Sequence, residues 1–155
     1  MDDRRHGFTL LELMIVVAII LTLLAVAVPH LLHSKMSANE AVARESLHVL
    51  NFALFQYWTT YRTYPAALVN LAAGAQIDAT SADLIDPVLA SGRKSGYSFA
   101  YAPVQDDLDG TVSAFNITAT PSMAGLTGHV SFLMDQTGAV RVLASSVVVT
   151  NSVAP

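Results

Sequence analysis

The chain contains no cysteine in its 155 residues. Disulfides, thiolate metal sites and cysteine nucleophiles are thereby excluded. Charge is scarce too: Asp, Glu, Lys and Arg make up 13% of the chain, against a usual share near 25%. That rules out a disordered polyelectrolyte. Eight basic residues against twelve acidic ones leave a net charge of -4, so no basic excess exists to neutralise phosphates and no nucleic-acid partner is expected. Between Phe8 and Tyr64 there is no glycine and a single proline, Pro29. Phosphate loops, dinucleotide fingerprints, nucleophile elbows and metalloprotease patterns are all missing, so neither an enzyme nor a cofactor is expected.

What is present in excess is apolar surface, at 53% of residues. Phe8 to Val28 reads F-T-L-L-E-L-M-I-V-V-A-I-I-L-T-L-L-A-V-A-V, with Glu12 as its one charge. As a helix this run is ~30 Å long, the thickness of a bilayer core. From Pro29 onward, six basic and nine acidic residues describe an ordinary, mildly acidic water-soluble remainder. Arg4 and Arg5 ahead of the run favour a cytoplasmic N-terminus, with the remainder facing the outside of that membrane. Ala25 and Ala27 offer an A-x-A-like pattern, so ordinary signal cleavage is the alternative.

The interval without breakers predicts one helix from about Thr9 to Tyr61, kinked near Pro29. Its length, on the order of 80 Å, exceeds the width of a globule of this size. In its second half Ala43, Leu47, Leu50, Leu54, Tyr57 or Trp58, and Tyr61 recur at spacings of three and four. They form a stripe for a soluble core. Lys35, Asn39, Glu40, Arg44, Glu45 and Arg62 fall largely off it. Short helices are expected near Ala66–Ala73 and Ser81–Leu89, around punctuating Gly74, Pro87, Gly92 and Gly96. The period then becomes two: Tyr97–Tyr101, Phe115–Ala119, and Val130–Met134 with Ala139–Leu143 flanking the turn Asp135-Gln136-Thr137-Gly138. Val147–Val149 is expected to add an edge strand. Helix first and antiparallel strands afterwards means an α+β fold, with a small sheet packed on the second half of the helix.

The string R-R-H-G-F-T-L-L-E-L-M-I-V-V-A-I-I, at the head of that apolar run, resembles the processing site of type IV pilins and type II secretion pseudopilins. The resemblance implies a pilin-like fold and a structural subunit of a pilus or pseudopilus filament. It implies a leader at residues 1–7, a transmembrane and filament-core helix at 8–29, and a globular head at 30–155 that includes the distal half of the helix. A prepilin peptidase would cut between Gly7 and Phe8 and methylate the new amine of Phe8. Partners would be identical or related subunits, the peptidase, the inner membrane and a pilus or secretion assembly platform. Thr63 to Leu71 looks like the Y-P-x-x-L-x-x-L element that follows the long helix in this family. Departures are instructive. With no cysteine the head cannot be closed by a disulfide, as many type IV pilins are. Major pseudopilins often use calcium there, for which Asp106, Asp107 and Asp109 are candidates, although the twelve-residue calcium-loop spacing is absent. No glycine lies in the membrane half, so local melting there would rest on Pro29.

Glu12 and Pro29 are thus the assembly candidates. A carboxylate inside hydrocarbon costs roughly 2.5–3.5 kcal/mol or more. A cut after Gly7 creates an amine of pKa about 8, which can neutralise Glu12 of an adjoining subunit and fix axial register. The competing reading is a monomeric binding domain on a plain signal anchor, with Glu12 snorkelling to the membrane edge. His30 and His33 share one helical face but form no ligand set. His48 reads as a flank position and His129 as a strand start. The aromatics Phe52, Phe55, Tyr57, Trp58, Tyr61 and Tyr64 read as core stripe.

Overall fold

The computed structural model of the protein describes residues 8–74, 77–106 and 110–143. A single helix, α1, runs from Leu10 to Tyr61 with Pro29 inside it, matching the expected span to within a residue. Contacts divide the chain into two compact units, one up to Lys35 and one from Met36 onward. In the first unit every described residue from Phe8 to Lys35 is exposed. In the second, α1 presents Met36, Ala43, Ser46, Leu47, Leu50, Ala53, Leu54 and Tyr57 as its buried stripe. The spacing left Tyr57 and Trp58 as alternatives; Tyr57 is 4% exposed and Trp58 36%, so Tyr57 occupies the stripe.

Against that stripe lies one antiparallel sheet of five strands in sequence order. The strands are β1 (Arg93–Lys94), β2 (Tyr97–Gln105), β3 (Val112–Pro121), β4 (Ser131–Asp135) and β5 (Val140–Leu143). Alternation aims Phe115, Ile117 and Ala119 of β3 and Phe132 and Met134 of β4 at the helix, all of them buried. The fold is therefore α+β with the sheet on the distal half of α1, as the change of period from 3.6 to 2 implies.

Local chemistry explains where the elements differ from expectation. Instead of a helix over Ala66–Ala73 there is one 3₁₀ turn, Leu68–Leu71, with Leu68 and Leu71 buried. The helix expected over Ser81–Leu89 shrinks to α2, Pro87–Ala90. Proline disfavours helical geometry at the residue before it. Accordingly Asp86 is extended and caps α2, accepting the Leu89 N–H at 2.9 Å. β1 was not anticipated: Ser95 (φ 48) and Gly96 (φ 73) make a two-residue hairpin with both residues left-handed, which pairs Lys94 with Tyr97. Pro103 sits in β2 four residues after Phe99, whose N–H points away from β3 to Gly92. By strand alternation Pro103 also faces the outer edge, where it needs no donor. The expected edge strand at Val147–Val149 lies outside the described residues.

The loop between β3 and β4 closes over α1. Tyr97 is fully buried and donates its hydroxyl to the Val130 carbonyl at 2.7 Å. Gly128 lies against that ring: a Cβ there would stand 2.2 Å from the Tyr97 Oη. We expect Gly128→Ala to cost about 1–3 kcal/mol through overpacking, measured by denaturant unfolding of the detergent-solubilised chain.

Burial, assisted by the nearby Glu40 charge, pushes the Tyr97 phenol up to about 12 from its ordinary 10.0, and burial raises Tyr101 as well. Both phenols hold their proton more tightly in the folded chain. Their contribution to stability is therefore full below pH 10 and is lost as pH rises through the raised values. Denaturant midpoints should fall from pH 10 upward. Tyr97→Phe should remove part of that slope.

Candidate functional site

The segment that the sequence singles out begins at Phe8, 71% exposed, one residue ahead of the helix cap. Thr9 caps α1: its Oγ1 accepts the Glu12 N–H at 3.2 Å, and its carbonyl accepts the Leu13 N–H at 3.3 Å. Unpaired N–H groups at a helix start are costly in an apolar medium, so threonine here has a local reason. Glu12 falls in the first turn, where the positive end of the helix favours a carboxylate. Thr9-Leu10-Leu11-Glu12 matches the S/T-x-x-E pattern of a capped helix start, a signal the sequence reading passed over. Phe8 and Glu12 thus flank the same helix start, with Gly7 outside the described residues.

From Leu13 to Val28 the helix is apolar on every side but for Thr22. Its best 18-residue window has mean hydropathy 2.9, with no part of it buried in the single chain. This is the one helix among the described residues long and apolar enough to cross a membrane. Its few polar side chains are satisfied internally: the Thr22 hydroxyl donates to the Ile19 carbonyl at 2.7 Å and the Ser34 hydroxyl to the His30 carbonyl at 3.0 Å. Pro29 withholds an N–H from the carbonyl of Ala25, and the helix continues through it. A surface of this kind needs lipid or other helices around it.

Other candidates stay apart. His30 and His33 are exposed on α1, and no group of three metal-ligating side chains occurs among the described residues. His48 is exposed on α1, as a flank position should be, and His129 precedes β4 by two residues rather than starting it. Asp106 closes the β2–β3 turn through its backbone, its N–H donating to Thr111 and its carbonyl accepting from Gly110. Asp107 and Asp109 lie outside the described residues. Asn39 and Glu40 gain a role not read from sequence. The Asn39 amide donates to the Thr127 carbonyl at 2.9 Å, and Glu40 Oε1 accepts the His129 N–H at 2.9 Å. Together they clamp the β3–β4 loop onto α1. Their partners are 88 and 89 residues away, so no local pattern announces them.

Residues 2–28 match the family model described as the prokaryotic N-terminal methylation motif. Over 95 residues the chain is 33% identical to the type II secretion system core protein G of Escherichia coli strain K12, an alignment covering 61% of this chain and 62% of that protein. The match thus spans somewhat less than two thirds of that relative's length. No solved structure matches the chain at a significant level.

Proposed function

We propose that this chain belongs to the pilin and pseudopilin family and is a structural filament subunit rather than an enzyme, a reading supported by its N-terminal methylation motif, its similarity to a type II secretion core protein and its helix-then-sheet order. The observation that carries this reading is a capped, lipid-length helix, exposed on all sides, whose start at Phe8 and Glu12 falls within a methylation motif. In this reading the chain waits in the inner membrane with its head outside the cytoplasm. Prepilin peptidase removes residues 1–7 and methylates Phe8. Related subunits then associate through their Phe8–Val28 helices, which exchange lipid contacts for one another. The amine of one Phe8 neutralises Glu12 of the adjoining subunit, and the pair sets the axial step. Pro29 supplies the site where the helix yields on packing. Within this class the similarity to a type II secretion core protein favours a periplasmic pseudopilus over a surface pilus.

Processing and polymerisation are tested together. Mass spectrometry of the purified chain should find a methylated Phe8 as first residue, and shearing should release or pellet filaments containing it. Gly7→Val should leave residues 1–7 attached and eliminate filaments while the chain remains membrane-bound. Filaments built from uncut chain, or a mature chain starting after Ala27, would overturn the reading. Calcium at Asp106, Asp107 and Asp109 belongs to the same proposal: if the head uses calcium, its melting temperature rises with added Ca²⁺ and returns on chelation.

A further inference from the structure

The β3–β4 loop ends in a rigid apolar protrusion. Met123 to Leu126 is a hydrogen-bonded turn, the Leu126 N–H donating to the Met123 carbonyl at 3.1 Å. The ends of such a turn lie within ~7 Å of each other. Met123 is 59% exposed and Leu126 49%, so both side chains stand in water on one small patch. The backbone beneath them is firmly held. The Ser122 N–H donates to the Gly96 carbonyl at 2.8 Å and the Gly125 N–H to the Gly128 carbonyl at 3.0 Å. Thr127 returns to the Met123 carbonyl through both its N–H and its hydroxyl. Asn39 and Glu40 fasten the loop to α1. An ordered loop has little freedom left to lose on docking.

The same head carries a concave counterpart. A shallow pocket of about 270 Å³ lies beside β2, lined by Ala66, Ala67, Val69, Gly92, Phe99 and Tyr101 among others, none of them charged. It borders the middle of β2, whereas the loop is tied to Gly96, ahead of that strand. Protrusion and pocket are therefore separate surfaces. We propose that Met123 and Leu126 of one copy seat in this pocket on the next copy, a contact between heads that rests on the filament reading and adds to its helix packing. The match buries no charge on either side and so avoids that desolvation cost. Its size selects a second copy over a freely diffusing partner. Two side chains cover far less than the ~1,200 Å² at which stable interfaces between free proteins begin. So small a contact counts only between chains already held side by side, at a high effective concentration. Neighbours joined through their Phe8–Val28 helices meet that condition. Pairing unlike surfaces leaves one of each unfilled at the ends, so the contact propagates as an open chain.

Cysteine cross-linking of the full chain in cells tests the pairing, since the native chain has no cysteine to interfere. Ala67 and Leu126 are both exposed, so substitution there spares the core. With Ala67→Cys and Leu126→Cys in one chain, oxidation of sheared filaments should give a ladder of dimers, trimers and longer species. Neither single variant should cross-link. Leu126→Asp would bury an unpaired carboxylate in the pocket. It should cut filament yield ~10-fold or more while the membrane-bound amount stays native. Filaments of the double variant that give no ladder would overturn the pairing and leave the filament reading standing. So would a product that stops at dimers, a self-linked Leu126→Cys, or native filament yield from Leu126→Asp. A native chain that forms no filaments would overturn the filament reading and this contact with it.

Discussion

Glu12→Ala should enter the membrane as readily as the native chain and yield no filament. Insertion is driven by the apolar run around position 12, and alanine makes that run more apolar still. Thr9 continues to cap the helix, because it is the backbone N–H of residue 12 that Thr9 Oγ1 receives. The loss appears only on assembly. Each incoming subunit would bury the Phe8 amine among helices with no carboxylate opposite it. Removing one partner of a buried pair costs about 3–5 kcal/mol, so each addition step weakens by ~100-fold or more, at 1.4 kcal/mol per decade. A membrane fractionation beside a shear assay separates the two stages. Native filament yield from the alanine variant would remove Glu12 from the register-setting role. Glu12→Gln tests the charge itself, since it keeps size and hydrogen bonding but cannot neutralise the amine.

The second large effect is confined to the head. Phe132 is fully buried in the middle of β4, beneath Arg44 and with its ring centre 6.1 Å from that of Tyr97. Phe132→Ala removes a whole ring from a close-packed core and should cost about 3–5 kcal/mol, a large share of the 5–15 kcal/mol typical of a domain. Thermal unfolding of the detergent-solubilised chain should move down by roughly 10–15 °C. Phe52→Ala is the control: its side chain is 70% exposed on α1, and the dispersed chain should change by less than about 0.5 kcal/mol. Equal losses at the two positions would mean that the packing described for β4 and α1 is wrong.

Much of this was legible in the residues alone, for identifiable reasons. The start of α1 is written locally, in Thr9 and Glu12, and its continuation in the absence of glycine. Its core face is written in the recurrence of Ala43, Leu47, Leu50 and Leu54. The N-terminal methylation motif is legible because it is a contiguous string of residues. What sequence could not supply depends on contacts distant along the chain or on single backbone angles. β1 is two residues long and owes its existence to the Ser95-Gly96 turn. The segment before α2 is held out of helix by Pro87 and by Asp83 at φ 52. Asn39 and Glu40 looked like solvated flank positions because the carbonyl and the N–H that they bind belong to a loop almost ninety residues later.

That loop clamp bears on mechanics. Asn39 and Glu40 fasten α1 to the β3–β4 loop, one helical turn after the buried Met36 and ahead of Ala43, Leu47, Leu50 and Leu54. Traction applied to the helix from its N-terminal side therefore reaches Met36 and these two polar bonds before the row behind them. The apolar row behind them lies parallel to the pull and resists in shear, all contacts loaded at once. A tugged chain should consequently yield in two stages: a low-force release of the β3–β4 loop that reverses when the tension drops, then a cooperative, high-force separation of helix from sheet.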